Sequence, residues 1–292
     1  MALYAFDGTG NEDRDGDDGD SNVVDFFRAY IDPLKDNDPD DARGSLYVKG
    51  IGLMARSFFG EQVSEAFGIG GHRRVRQAMR RLRNNLRAGD RTVDVVGFSR
   101  GAGIAISFTN EVADEHPGLK IRFLGLWDTV GQFGLPGERL QAGHDLTCPR
   151  NVERCYHALA LDENRALFPL TRMLRDSKPV EGFTEAWFRG VHSDVGGGNG
   201  NRGLNWISLH WMFKAAQREG LPIPQAEIDR NLADRSRPQQ IRAHAVAADV
   251  RRHIFDTDLL HSSVQPIAGH GGGREMLLAR IDDDGVVRQV QA

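Results

Sequence analysis

The feature that most constrains this chain is a serine turn flanked by glycines at residues 97–101, with the sequence Gly-Phe-Ser-Arg-Gly. Residues 92–96 before it are mostly apolar and β-branched, as in a buried strand, and residues 102–113 after it have the pattern of a helix that ends before Pro117. A strand, a sharp turn and a helix therefore follow one another without a linker. In this context the G-x-S-x-G pattern predicts a nucleophile elbow.

The elbow gives Ser99 a specific chemistry. A serine on such a turn has a strained backbone, and the flanking glycines leave room for the neighbouring strand and helix. The hydroxyl stands at a helix N-terminus, where the helix dipole stabilises a developing oxyanion. It still needs a histidine to take its proton and a carboxylate to orient that histidine. In folds with a nucleophile elbow of this kind, the order along the chain is nucleophile, acid, histidine.

Strand and helix patterns alternate along the rest of the chain. Strand patterns cover residues 3–6, 45–48, 121–127, 156–161 and 185–191, and helix patterns cover residues 23–30 and 72–87. This alternation predicts an α/β fold, in which a mostly parallel central sheet has helices on both faces and ligands bind beyond the carboxyl ends of the strands. Together with the nucleophile elbow it indicates an α/β-hydrolase-like fold. We expect residues 1–292 to form a single domain, with an acidic surface insertion at residues 12–41 and a weakly patterned C-terminal part at residues 222–292.

The composition excludes several functional classes. Hydrophobic residues make up 40% of the chain and charged residues 27%, and the net charge of −4 predicts no general attraction to nucleic acid. No apolar run is long enough to span a bilayer, and the first residues lack the pattern of a signal peptide. We therefore expect a protein made in the cytoplasm, without a transmembrane segment.

The best candidate for the catalytic histidine is His192, within residues 190–198 (Gly-Val-His-Ser-Asp-Val-Gly-Gly-Gly). It ends a predicted strand and opens a glycine-rich loop, a position that suits a catalytic residue. His261 and His270 lie later, in less ordered sequence, and are the fallback candidates.

Three carboxylates lie at predicted strand ends: Asp128, Asp162 and Asp194. Asp194 is only two residues from His192 and would have to fold back onto its ring. Asp128 and Asp162 end separate strands, each of which can bring a carboxylate to the histidine. The chemistry of the residues alone does not separate these two.

Five motifs occur in a fixed order and carry a resemblance to a known family. They are residues 6–11 (Phe-Asp-Gly-Thr-Gly-Asn), 97–101, 127–131 (Trp-Asp-Thr-Val-Gly), 158–165 and 187–198. Together they resemble the α/β-hydrolase family that includes the type VI secretion phospholipase effectors, over about residues 2–220. The resemblance implies a catalytic triad of Ser99, Asp128 and His192. It also favours Asp128 over Asp162 as the acid, and leaves Asp162 and Glu163 a structural role beside Arg165.

The oxyanion hole is predicted from the elbow and from the first strand. The backbone amide of Arg100 directly follows the nucleophile, and the turn at Gly8 and Thr9 ends a strand that we expect beside the nucleophile's strand. Asp7 would organise that turn rather than react, and Asp194 would support the loop of the catalytic histidine.

No cofactor is expected, and calcium is a minor hypothesis. Asn11, Asp13 and Asp15 resemble the start of a calcium loop, but position twelve of that loop is Asn22 and not the closing glutamate. The expected alternative is a solvated acidic loop. The arginine-rich helix at residues 72–87 is expected to be an ordinary surface helix, with peripheral contact to anionic lipid as the alternative.

The resemblance implies hydrolysis of carboxylic esters of acyl lipids, in a phospholipase A-type antibacterial effector exported by a type VI system. Secretion-apparatus and immunity partners would follow from that role. Two alternatives stay open, an esterase for small soluble esters and a non-catalytic binding domain that keeps the fold. A lipase site needs an extended apolar groove, and its candidate wall residues are Phe58, Phe59, Phe67, Phe133 and Leu135.

Overall fold

The computed structural model describes residues 1–13, 19–34, 43–51, 61–131, 145–166, 168–200, 202–234, 252–265 and 278–290, with the backbone alone for residues 61–69. In these residues nine strands form one sheet, in the order β2-β1-β3-β4-β5-β6-β7-β8-β9. All neighbouring strands pair in parallel except β8 and β9, which are antiparallel. The strands are β1 (Ala2–Phe6), β2 (Leu46–Val48), β3 (Val93–Phe98), β4 (Ile121–Trp127), β5 (Val152–Ala160), β6 (Phe183–Phe188), β7 (Leu259–His261), β8 (Arg280–Ile281) and β9 (Val287–Arg288). The predicted mostly parallel sheet is confirmed.

Helices cover both faces of this sheet. They are α1 (Asn22–Ala29), α2 (Glu61–Arg87), α3 (Ser99–Glu115), α4 (His192–Gly196), α5 (Arg202–Arg218) and α6 (Gln225–Asp234). One apolar cluster joins Leu3 and Ala5 of β1 to α1, α5 and α6, and a second joins the alternate residues of β1 to α2 and α3. This division follows from the strand geometry, because successive side chains point to opposite faces. No helix within the described residues is long and apolar enough to cross a membrane.

The central strands are buried along their length, which explains why the sequence pattern located them. All residues of β1 and β3 are buried, and β4 has the predicted bounds. A parallel strand covered on both faces consists of a nearly continuous apolar run. β6 ends at Phe188, earlier than predicted, so that His192 begins the short helix α4 and does not end a strand.

Two parts of the fold were not predicted. Helix α5 is buried on nearly all sides, so its sequence has no polar face to reveal a helical period. The C-terminal part adds α6 and the strands β7, β8 and β9 to the molecule. These strands have two or three residues each, which is too short for an alternating pattern to be detected.

Candidate active site

The predicted nucleophile elbow is present between β3 and α3. Ser99 is the first residue of α3, and its φ of +58° lies in the left-handed region that side chains rarely adopt. A Cβ on Gly97 would lie 2.7 Å from Cα of Ala102, and a Cβ on Gly101 would lie 2.3 Å from the carbonyl oxygen of Asp7. Both glycines are therefore required by close packing of the backbone around the serine.

The structure brings the three predicted triad residues together. Nε2 of His192 lies 2.7 Å from Oγ of Ser99, and Nδ1 lies 2.6 Å from Oδ2 of Asp128. Ser99 and Asp128 follow β3 and β4, which are paired in parallel, so both stand at the carboxyl edge of the sheet. All three side chains belong to buried residues. This is the geometry that a serine nucleophile, a general base and an orienting acid require.

The imidazole of His192 is held from several sides. Its ring centroid lies 4.7 Å from the ring centroids of both Phe98 and Phe168. The backbone amide of His192 donates a hydrogen bond to Oε2 of Glu163 at 3.0 Å. Glu163 is itself ion-paired with Arg165, so the predicted structural role beside this arginine fits the observed contacts.

Asp194 supports the loop of the histidine through the backbone. Its Oδ2 accepts a hydrogen bond from the amide of Val191 at 3.0 Å, and its Oδ1 accepts one from the side chain of Asn199 at 2.9 Å. These bonds link the start of α4 to the glycine-rich segment that follows. The contacts fit the supporting role predicted for Asp194.

Asp128 has a partner that the sequence did not reveal, Arg252. The Arg252 guanidinium contacts both carboxylate oxygens, with Nη1 on Oδ1 and Nη2 on Oδ2, the latter at 2.9 Å. The amide of Ala160, at the end of β5, also donates to Oδ1 at 2.8 Å. Arg252 lies in weakly patterned sequence next to another arginine, and no motif marks it.

The charges around the triad favour an ionised acid and a neutral base. Burial by itself would raise the pKa of Asp128, but the charge of Arg252 and the hydrogen bond from His192 hold that pKa below its ordinary value. Burial lowers the pKa of His192, and the opposing effect of Asp128 does not fully compensate. At neutral pH the imidazole is therefore able to accept a proton from Ser99.

The other candidate acid and histidine are engaged elsewhere. Asp162 accepts hydrogen bonds from Nη1 of Arg189 at 2.8 Å and from the amide of Gly190 at 2.7 Å. His261 bonds to Oγ of Ser263 at 2.8 Å and to Oδ1 of Asp283 at 3.2 Å. His270 lies outside the described residues.

The turn after β1 lies against the elbow, as predicted. β1 pairs with β3 so that Phe6 is opposite Gly97, which brings the following turn to the start of α3. The amide of Gly8 donates to Oδ1 of Asp7 at 2.7 Å, so this amide is already used within the turn. The role of Gly8 as an oxyanion donor stays a prediction. The Thr9 hydroxyl, in contrast, is buried without a partner in the part of the chain that the structure describes.

Asp7 organises this turn through several hydrogen bonds. Besides the Gly8 amide, its carboxylate accepts from the Tyr47 hydroxyl at 2.7 Å and from the Ser21 hydroxyl at 2.8 Å. Burial raises the pKa of Asp7 to about 6. The contacts fit the predicted organising role. Arg100, whose amide is the other predicted oxyanion donor, lies in the first turn of α3, where backbone amides do not bond within the helix.

The calcium hypothesis stays a prediction. Asp13 forms an ion pair with Arg28, which also contacts Asp20 at 2.6 Å, while Asp15 lies outside the described residues. Asn11 instead contacts the turn, because its backbone amide donates a hydrogen bond to the carbonyl oxygen of Gly8 at 3.0 Å. Within the described ranges, no group of His, Cys, Asp and Glu side chains is suited to hold a metal ion.

The wall of the acyl groove also stays a prediction. Four of its candidate residues lie outside the described residues, and of Phe67 only the backbone is described. The four are Phe58, Phe59, Phe133 and Leu135.

Comparison with known proteins gives a family match and similar solved structures. The family model described as "T6SS, Phospholipase effector Tle1-like, catalytic domain" matches residues 3–110 and 105–215. A crystal structure of an uncharacterized protein from Pseudomonas aeruginosa shares the fold, with 22% sequence identity and a TM-score of 0.54, over 80% of this chain and 48% of that one. A structure of the Tle1 effector bound to the VgrG spike from the type 6 secretion system matches 67% of this chain and 50% of its own, with 22% identity and a TM-score of 0.47. The matched regions span about half the length of both solved chains. No curated protein gives a significant match.

Proposed function

The chain belongs to the Tle1-like family of type VI secretion phospholipase effectors, through its catalytic domain, and on this premise we propose that it is a serine hydrolase for carboxylic esters of acyl lipids. The observation that carries the proposal is the hydrogen-bonded row of Ser99, His192 and Asp128 at the carboxyl edge of the sheet. Family membership supports the substrate class, and the row of side chains supports the proposed chemistry.

In the first half of the reaction, Nε2 of His192 takes the hydroxyl proton of Ser99 while Oγ attacks the ester carbonyl carbon. Asp128, held ionised, stabilises the imidazolium that forms. When the tetrahedral intermediate collapses, the bond to the alcohol breaks and His192 gives its proton to the departing oxygen. An acyl-enzyme on Ser99 remains.

In the second half, water replaces the alcohol. His192 takes a proton from the water, the resulting hydroxide attacks the acyl carbonyl, and the fatty acid leaves as Ser99 regains its proton. The amide of Arg100 and the turn at Thr9 are the proposed donors to the oxyanion in both halves. Because the described contacts already hold these groups in place, little reorganisation is needed as charge develops.

The finer substrate assignment is a phospholipase A-type activity against the membranes of a target cell. The family description supports a phospholipid substrate and delivery by a type VI system, and on the same premise we propose contacts to the secretion apparatus and to an immunity partner. A soluble esterase and a non-catalytic binding domain are the alternatives that the experiment must separate.

The test compares the wild type with Ser99→Ala and with Ser107→Ala, which removes another buried serine hydroxyl from the same helix. Each protein is labelled with a fluorophosphonate probe, and release of fatty acid is measured on mixed bacterial phospholipids and on short soluble esters. We expect labelling and lipid hydrolysis in the wild type and in Ser107→Ala. Loss of the attacking oxygen in Ser99→Ala should lower turnover by about a million-fold, with unchanged circular dichroism.

The outcomes separate the three functions. Labelling with hydrolysis of short esters alone would favour the soluble esterase over the lipase. Failure of the folded wild type to label or to hydrolyse any ester would refute the hydrolase and favour a binding domain. A Ser99→Ala variant that kept more than a few per cent of the activity would refute the assignment of the nucleophile.

A further inference from the structure

Arg252 and Asp128 form a buried, bidentate ion pair. The side chain of Arg252 is 6% exposed and that of Asp128 is fully buried. The same guanidinium donates to the carbonyl oxygen of Ala160 at 2.8 Å and to that of Phe168 at 3.2 Å. It therefore ties the acid to the end of β5 and to the segment whose aromatic ring packs on His192. A planar, bidentate guanidinium fixes a carboxylate in orientation as well as in charge.

The charge of Arg252 also acts on the histidine. Among the described residues, the groups that face His192 are the Ser99 hydroxyl, the Asp128 carboxylate, Glu163 at its backbone amide, and the uncharged rings of Phe98 and Phe168. Glu163 is paired with Arg165, so Asp128 is the anion that favours an imidazolium most directly. A fixed cation bound to the same carboxylate offsets part of this attraction.

We propose that Arg252 is a positioning residue for the catalytic acid, whose carboxylate its bidentate guanidinium holds in one orientation towards His192, while its positive charge opposes protonation of the imidazole. This inference rests on the proposed function, because it assigns a role within the same triad. It also gives the C-terminal part a role at the site, since Arg252 lies beyond the residues that the family model matches.

The segment that carries Arg252 is anchored independently of the triad. Oδ2 of Asp258 accepts hydrogen bonds from Nε1 of Trp187 at 3.0 Å and from the amide of Phe255 at 3.0 Å, and Oδ1 accepts from Nη2 of Arg172 at 2.8 Å. Trp187 belongs to β6, and β7 begins at the residue after Asp258. The guanidinium thus approaches Asp128 from a segment fixed to the sheet, as positioning requires.

The experiment uses the full chain with two substitutions at Arg252 and one matched control. Arg252→Gln removes the charge, and Arg252→Lys keeps the charge but loses the bidentate fork. The control, Arg122→Gln, removes an arginine that contacts both carboxylate oxygens of another buried aspartate, Asp94, through Nε at 2.9 Å and Nη2 at 2.5 Å. The readouts are the pH dependence of kcat/KM and the protonation of His192 followed by NMR titration of its imidazole.

The expected results differ between the variants. In Arg252→Gln, kcat/KM at neutral pH should fall by about a hundredfold, as for a small misplacement of a catalytic group. The acidic limb of the pH profile of kcat/KM, where activity falls as His192 is protonated, should move to higher pH together with the NMR titration of His192. In Arg252→Lys, kcat/KM should fall by about tenfold without a move of the acidic limb. Arg122→Gln should change neither measurement.

Three results would overturn the inference: an acidic limb in Arg252→Gln that coincides with that of the wild type, an equal move in Arg122→Gln, or wild-type kcat/KM in Arg252→Lys. If Arg252→Gln does not fold, the Arg252→Lys result alone decides the positioning role. The NMR titration needs no substrate, so a wild type that hydrolyses no ester would refute the proposed function while the effect of Arg252 on His192 is still measured.

Discussion

Replacing Asp128 with asparagine gives the sharpest test of the triad. Within the described residues, every group that hydrogen-bonds to this carboxylate is a donor: Nδ1 of His192, the Arg252 guanidinium and the amide of Ala160. Either orientation of the new amide therefore turns an NH2 group towards donors. In the wild type, Oδ2 of Asp128 lies 2.6 Å from Nδ1 of His192. If the NH2 group of the asparagine takes the place of Oδ2, the imidazole must accept a hydrogen bond at Nδ1 and carry its proton on Nε2. That tautomer cannot take the proton of Ser99.

The expected loss can be given a magnitude. The wrong tautomer lowers kcat by about ten-thousand-fold in a serine triad, which corresponds to about 5 kcal/mol of transition-state stabilisation. The substitution also leaves the buried Arg252 without its anion, which destabilises the fold by about 3 to 5 kcal/mol. The activity must therefore be measured on protein shown to be folded.

A matched control separates the loss of fold stability from the loss of activity. Asp94 is also fully buried, contacts both Arg122 and the Tyr30 hydroxyl, and lies near the beginning of β3, whereas the triad lies beyond the strand's other end. Asp94→Asn should lower the unfolding temperature by an amount similar to Asp128→Asn and leave kcat on the folded protein nearly unchanged.

The assay measures kcat with an ester substrate, together with circular dichroism and thermal unfolding of each variant. Asp162→Asn is included because the residues alone did not separate Asp162 from Asp128. We expect it to retain most of the activity, since Asp162 contacts Arg189 and Gly190 and not the imidazole. A deeper loss in Asp162→Asn at equal stability, or an Asp128→Asn variant within tenfold of the wild type, would refute the assignment of the acid.

Three further predictions follow from the same geometry. Gly101→Ala should unfold at a lower temperature and lose activity, because its Cβ would lie 2.3 Å from the carbonyl oxygen of Asp7, whereas Gly118→Ala, with no atom within 4 Å of its Cβ, should match the wild type in thermal unfolding and turnover. The acidic limb of kcat/KM should lie below the ordinary histidine pKa of 6.5, because burial lowers the pKa of His192 and a neutral imidazole is the active form; a limb at or above that value in a pH-rate profile would contradict this. Activity should rise with acyl-chain length and at lipid interfaces, at about 0.8 kcal/mol for each buried methylene, and a maximum at the shortest esters without a gain from detergent micelles would contradict the lipase assignment.

The sequence by itself determined the class of fold and the place of the candidate nucleophile's turn. Short-range patterns were sufficient there, because a buried parallel strand is an apolar run and a nucleophile elbow is a local turn with glycines at fixed positions. Ser99, the strand before it and the helix after it lie where the sequence predicts. The residues alone also favoured His192 as the histidine, and the family resemblance then favoured Asp128 over Asp162 as the acid.

Only the tertiary structure decided which side chains meet. Asp128 and His192 are 64 residues apart, and Arg252 reaches Asp128 across 124 residues, so their contacts depend on the order of strands in the sheet and on how the C-terminal segment docks. The use of the Gly8 amide by Asp7 likewise depends on the exact orientation of one carboxylate. A local pattern records which face of a strand or helix is buried, but a hydrogen bond between distant residues requires positions fixed to a fraction of an ångström, and those arise only when the whole sheet is packed.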